Sequence, residues 1–225
     1  TVVIPTRKPI RRSACGIRVF TTQESKWRAV VESVRDLHRQ DRPVLVGTCS
    51  VVASEHLSQL LAERGLPHQV LNARQDADEA RIVAEAGQPG RITVATNRAG
   101  RGTDIRLGPG VAESGGLHVI ATQRNEARRI DRQLFGRCGR QGDPGSFEAI
   151  FSLEDESVRA YFAPSAQRLL ARLARPRLPI RRWLGDLLTS LPQRAEEARH
   201  ARTRRNLIQV EEYLEDLLAF SGPME

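Results

Sequence analysis

Short continuous apolar runs alternate with runs spaced three or four residues apart as far as about residue 153. Residues 43–47, Pro-Val-Leu-Val-Gly, form an unbroken apolar stretch of the kind expected of a strand buried on both faces. Similar short runs predict strands at 18–20, 68–71, 91–96, 117–122 and 146–153. Between them, 24–38 sets Trp27, Val30, Val31, Val34 and Leu37 on one helical face. The stretch 54–64 turns Leu57, Leu60 and Leu61 inward and stops at Gly65, and 78–86 reads as a helix ending at Gly87. Residues 126–135 form one more helix. Strands and helices in alternation predict an α/β fold with a mainly parallel, doubly wound sheet.

The pattern changes after residue 154. Residues 155–173 read as helical, 174–179 form a break containing Pro176 and Pro179, and 193–220 read as one long charged helix. That helix has a narrow apolar stripe, Ala198, Ala201, Ile208, Leu214 and Leu217, expected to pack on a neighbour. The chain thus divides into 1–16, 17–154 and a helical extension, 155–225. Its first residues, Thr-Val-Val-Ile, read as a strand already under way, as in a fragment or one half of a split protein.

Composition adds a sign to this picture. Lys and Arg number 35 against 27 Asp and Glu, a formal charge of +8, and only Lys8 and Lys26 are lysines. Arginine forks pair bidentately with phosphate and carboxylate, so the excess suits a nucleotide, a nucleic acid or an acidic membrane surface. It also suits a plain solvated basic surface. Aromatic residues make up 4% of the chain, which leaves few platforms for stacking bases and argues against nucleic acid. Cys15, Cys49 and Cys138 are far apart, with no Cys-x-x-Cys and no histidine at ligand spacing, so neither a disulfide framework nor a zinc site is expected. No run reaches transmembrane length.

Two stretches carry candidate chemistry. "ATNRAGRGTDIRLG", 95–108, packs three glycines and three arginines directly after a strand. Ligands of open parallel sheets bind beyond the carboxyl ends of the strands, where this loop is expected to lie. Gly100 and Gly102 would let backbone N–H groups approach an anion, and Asp104 would accept from a ribose hydroxyl or pair with an arginine. An ordinary glycine-rich connection fits the same letters.

The second stretch is "RRIDRQLFGRCGRQGDPG", 128–145. Arg137 and Arg140 each follow a glycine and are three residues apart, which would put both on one face if the helix continued that far. Two forks so placed suit a transferring γ-phosphate at the sheet's carboxyl side. A basic helix end that stabilises its own last carbonyls is the plainer alternative. Cys138, between them, has no histidine nearby in sequence and reads as a small filler rather than a nucleophile.

"TNRAGRGTDIRLG" and "RRIDRQLFGRCGRQGDPGSFEAIFSLEDE" resemble the second motor domain of SecA, the bacterial preprotein translocase ATPase. "VVIPTRKP", "PVLVGTCSVVASEHLSQLL" and "LNARQDADEARIVAEAG" resemble the same family in the same order, covering about residues 2–156. Arg98, Phe135, Cys138 and Asp76 depart from the family's usual residues. The resemblance implies a RecA-like fold of the P-loop NTPase superfamily, with 1–16 leading out of a preceding motor domain and 17–154 forming the second. It implies that Arg137 and Arg140 are arginine fingers and that Gly100, Gly102, Thr103, Asp104 and Gln141 contact nucleotide.

A P-loop requires Gly-Lys-Ser/Thr, and Pro9 follows Lys8 while Trp27 follows Lys26, so this chain has none. ATP and Mg2+ are therefore expected to be held mainly by a partner P-loop motor domain, and the chain alone to be inactive. Preprotein, the Sec translocation channel and the inner face of the cell membrane are the partners and location that the resemblance implies. The tail resembles the start of the family's helical scaffold more loosely. "AIFSLEDE" has the form of a strand ending in a magnesium-positioning acidic pair, but Ser152 and Asp155 more simply begin the next helix. A helicase-type motor half acting on nucleic acid and a non-catalytic SecA-like adaptor are the alternatives.

Overall fold

The computed structural model describes residues 6–71, 76–96, 104–173, 179–180 and 182–220. Six strands form one sheet: β1 (Arg12–Phe20), β2 (Val44–Thr48), β3 (Gln69–Leu71), β4 (Ile92–Thr96), β5 (Leu117–Ala121) and β6 (Gly145–Ser152). Their order is β1-β6-β5-β2-β4-β3, and every described pairing is parallel. Parallel strands require covered faces, and here both faces are covered. Val44, Val46, Ile92, Val94, Ile120 and Ile150 pack against α1 (Gln23–His38) and α2 (Val51–Glu63). The alternate residues Leu45, Ala95, Leu117 and Val119 face α3 (Asp76–Glu85) and α4 (Arg128–Phe135). Polar side chains start the first two helices: Thr22 accepts from Ser25 N at 3.2 Å and Ser50 accepts from Ala53 N at 3.1 Å.

The first strand is longer than its apolar run. Only 18–20 read as a strand, but β1 begins at Arg12 and pairs with β6 from Gly145 onward. Its first half is an outer edge with Ser13, Ala14 and Cys15 exposed, so no burial pattern marks it. A register shift between Ala14 and Gly16, with Gly16 at φ +110°, twists that edge. Residues 155–173 are helical as expected and form two helices, α5 (Glu156–Tyr161) and α6 (Pro164–Leu173). Pro164 lacks the N–H that would continue α5 and opens α6 instead.

The long helix also differs from expectation. Helix α7 runs Arg182–Phe220, continuing through Pro192 instead of starting after it. Tertiary packing offsets the proline: Leu188 joins a cluster with Val19, Ala121, Phe151 and Val158, and Gly185 lies against Val19, where a Cβ would approach to 2.8 Å. The expected distal stripe does not pack within the chain. Ala198 is exposed, Ala201 half-buried, and Ile208 and Leu214 are 54% and 51% exposed; Leu217 lies outside the described side chains. Among the described residues no helix is long and apolar enough to cross a membrane.

Candidate functional site

Two crossovers bring Asp104, Arg140 and Gln141 together. After the stretch 97–103, which holds Gly100, Gly102 and Thr103 and lies outside the described residues, the chain re-emerges at Asp104. Ile105 is buried among Ile82, Val83 and Ala86, and Gly108 N donates to Gly87 O at 2.9 Å. A Cβ on Gly87 would come within 2.0 Å of Arg106 O, so a glycine is required there for this segment to lie flat on the end of α3. Asp104 is thereby fixed by its neighbour's burial.

Helix α4 places the other half. Leu134 drives into the sheet over Gly47, where a Cβ would meet it at 2.5 Å, and Phe135 stacks on Phe147 with centroids 4.3 Å apart. Gln193 Nε2 donates to Asp131 Oδ2 at 2.7 Å, and Arg128 N donates to Glu197 Oε1 at 2.7 Å, so α7 holds the first turn of α4. Asn125 completes this cluster, donating to Asp131 through N and Nδ2. None of these tethers was legible in sequence; the one signal was an aspartate on the inward side of a short helix.

The helix does not continue to residue 140. It ends at Phe135 with Gly136 as C-cap, and Gly139, Gln141 and Gly142 follow at φ +63°, +54° and +87°. Arg137 and Arg140 therefore stand on a turn, not on one helical face. Nor does this turn lie at the carboxyl side of the sheet. Gly145, just beyond it, pairs with Arg12 and Leu117, the first residues of β1 and β5, and Gly139 lies against Arg12. An eight-residue helix spans about 12 Å, enough to carry the chain back over the sheet before the arginines appear.

The Arg140 fork is divided. Its Nε donates to Gly136 O at 2.8 Å, which neutralises a carbonyl at the end of α4, while Nη1 donates to Asp104 Oδ1 at 2.9 Å. Gln141 Nε2 donates to Asp104 Oδ2 at 2.8 Å. The helix-end reading thus has a counterpart in one arm of Arg140, while the other arm meets Asp104, beyond β4. The Arg140 hydrogen bond holds the Asp104 carboxyl below the usual carboxylate range, against a smaller opposing effect of burial, with Gln141 and Arg106 assisting. The pair remains open to water, with side chains 37% and 36% exposed. Arg137 is half-buried.

Cys138 is buried, its thiol pushed up to about 11 by burial despite the Arg12 charge, which suits a packing residue and not a nucleophile. At the far end of β6, Asp155 accepts from Lys26 Nζ at 2.6 Å, Ser152 N at 2.9 Å and Gln23 Nε2 at 3.1 Å. That carboxylate is committed to the fold. Among the described residues no three His, Cys, Asp or Glu side chains gather into a cation site.

The family described as the SecA P-loop domain matches residues 9–112 and 108–177. Protein translocase subunit SecA 2 of Nitrosospira multiformis is 48% identical over 219 residues, covering 97% of this chain and 33% of that protein. SecA of Heliobacterium modesticaldum is 49% identical over 214 residues, covering 95% of this chain and 25% of that protein. The chain therefore spans about a quarter to a third of the curated relatives it matches. Among solved structures, the E. coli DEAD-box protein SrmB bound to regulator of ribonuclease activity A superposes with a TM-score of 0.51 at 18% identity, over 70% of this chain and 88% of that one. The fold is RecA-like, a six-stranded parallel sheet flanked by helices and followed by a long helix. With most of its length matched, the chain belongs to the SecA P-loop domain family.

Proposed function

We propose that this chain is the second motor half of a SecA-type, ATP-driven protein translocase. The observation that carries the reading is Arg140, half-exposed on a turn with one arm anchored and the other on an exchangeable carboxylate. A γ-phosphate presented by a partner domain would compete with Asp104 for that arm. The donor set fits such a ligand: guanidinium forks match phosphate oxygens, and the anchored Nε fixes the fork's direction in advance. Arg137 and Arg140 stabilise charge as the phosphoryl group passes to water, and Asp104, once displaced, contacts the nucleotide together with Gly100, Gly102, Thr103 and Gln141. Mg2+ would be held mainly by the partner domain that carries the P-loop. Closure on ATP would then move preprotein at the Sec channel, with the motor on the cytoplasmic face of the membrane.

The test is reconstitution. The chain alone should show no ATP turnover above buffer, and adding a P-loop motor domain of a SecA-type protein should restore it. Turnover by the pure chain would defeat the reading. Nucleic-acid binding that falls steeply with salt and stimulates turnover would favour a helicase motor instead.

A further inference from the structure

The arginine-bearing turn rests on the segment that enters the sheet. Arg12, the first residue of β1, donates from Nη1 to Phe135 O at 3.3 Å and to Cys138 O at 3.5 Å. One acceptor closes α4 and the other lies inside the turn, so a single guanidinium bridges helix end and turn. A cation also suits this end of α4, where the helix dipole is negative and the last carbonyls lack helical partners.

The backbone contacts run the same way. A Cβ on Gly139 would lie 2.6 Å from Arg12 Cβ and 3.2 Å from Arg12 Cα, and one on Gly142 would lie 2.8 Å from Lys8 Cδ. The glycine before Arg140 thus admits the incoming strand beneath it. Gly145 N adds a bond to Arg11 O at 3.3 Å. Residues 8–12 and the turn form one layered unit, and Arg140 stands on its outer side.

We propose that Arg12 is a positioning residue for Arg140, and that the segment entering β1 sets the finger's reach. The proposal rests on reading Arg140 as a finger. A displacement of about 1 Å in such a group costs up to about a hundredfold in rate, so a shift of the entering segment would act directly on turnover.

The experiment uses the chain in complex with a P-loop motor domain, comparing Arg12→Met, Arg12→Lys and Arg140→Ala. Methionine keeps the apolar stem and removes the donors. Arg12→Met is expected to lower kcat on the order of tenfold to a hundredfold, with KM for ATP changed less than about threefold. Arg12→Lys should recover part of the loss. In the free chain, Arg12→Met should shift the NMR signal of the Arg140 Nε–H while the chain still melts cooperatively. If kcat and that signal are both unchanged, the proposal is overturned. If kcat falls without movement of the signal, Arg12 acts by another route and the proposal is equally overturned. If the signal moves but Arg140→Ala leaves turnover intact, the physical tie stands, while the finger reading, and with it the catalytic half of the proposal, fails.

Discussion

Two aspartates in this chain pair with a cation at nearly the same distance, and they do opposite work. Asp155 meets Lys26 at 2.6 Å with both side chains 2% exposed. Asp104 meets Arg140 at 2.9 Å with each more than a third exposed. The buried pair is enclosed by further partners: Ser152 N and Gln23 on the acid, and the Trp27 ring 4.4 Å from the ammonium. Burial raises the Asp155 carboxyl and Lys26 counters it, so neither group can lose the other cheaply. Water stands ready to replace either member of the open pair. Separation alone says little; enclosure decides whether an ion pair is a fixed joint or a contact that a phosphate can take over.

The largest effect should come from breaking the fixed joint. Lys26→Met leaves a buried carboxylate without its cation, and a loss on the order of 3–5 kcal/mol is expected in urea unfolding. A loss below about 1 kcal/mol would erase the contrast between the two pairs.

Glu148 sharpens the contrast, being an acid enclosed but less completely. Burial alone would raise its carboxyl, but His118, Ser33 and Arg18 outweigh that and hold it at about 2. Its carboxylate meets Arg18 Nη2 at 2.9 Å and also accepts from Ser33. Because the folded value lies below the unfolded one, its stabilisation is complete above the ordinary glutamate range near 4.3 and is lost as pH falls toward about 2. On the order of 3 kcal/mol should disappear across that window. Melting curves of Glu148→Gln and the unchanged chain should therefore converge as the solution is acidified; a constant gap would assign the effect to packing.

The smallest change should come from the open pair. Arg140→Ala is expected to alter stability by less than about 1 kcal/mol, as is Asp104→Asn, both read from thermal melts at neutral pH.

The same enclosure explains what could be read in the sequence. Strands β2, β4 and β5 are buried on both faces and announce themselves as apolar runs, as do the inward residues of α1 and α2. The first half of β1 is an exposed edge held by backbone pairing, so its letters look like a linker. The start of α7 was hidden by Pro192, which local rules treat as a stop and which packing on β1 overrides. At the site, residue types at fixed spacing marked Arg137, Arg140 and Asp104. Arg12 reaches the turn, and Gln193 and Glu197 the start of α4, from elements far away in sequence, and nothing local distinguishes them from surface polar residues.

Steady-state kinetics of Arg140→Ala, in complex with a P-loop motor domain and alongside nucleotide affinity, tests the central claim most directly. A contact made mainly in the transition state should cost on the order of 10³-fold or more in kcat while nucleotide affinity stays within a few-fold. A variant that melts normally and turns over at the unsubstituted rate would make Arg140 a helix-capping residue and contradict the account.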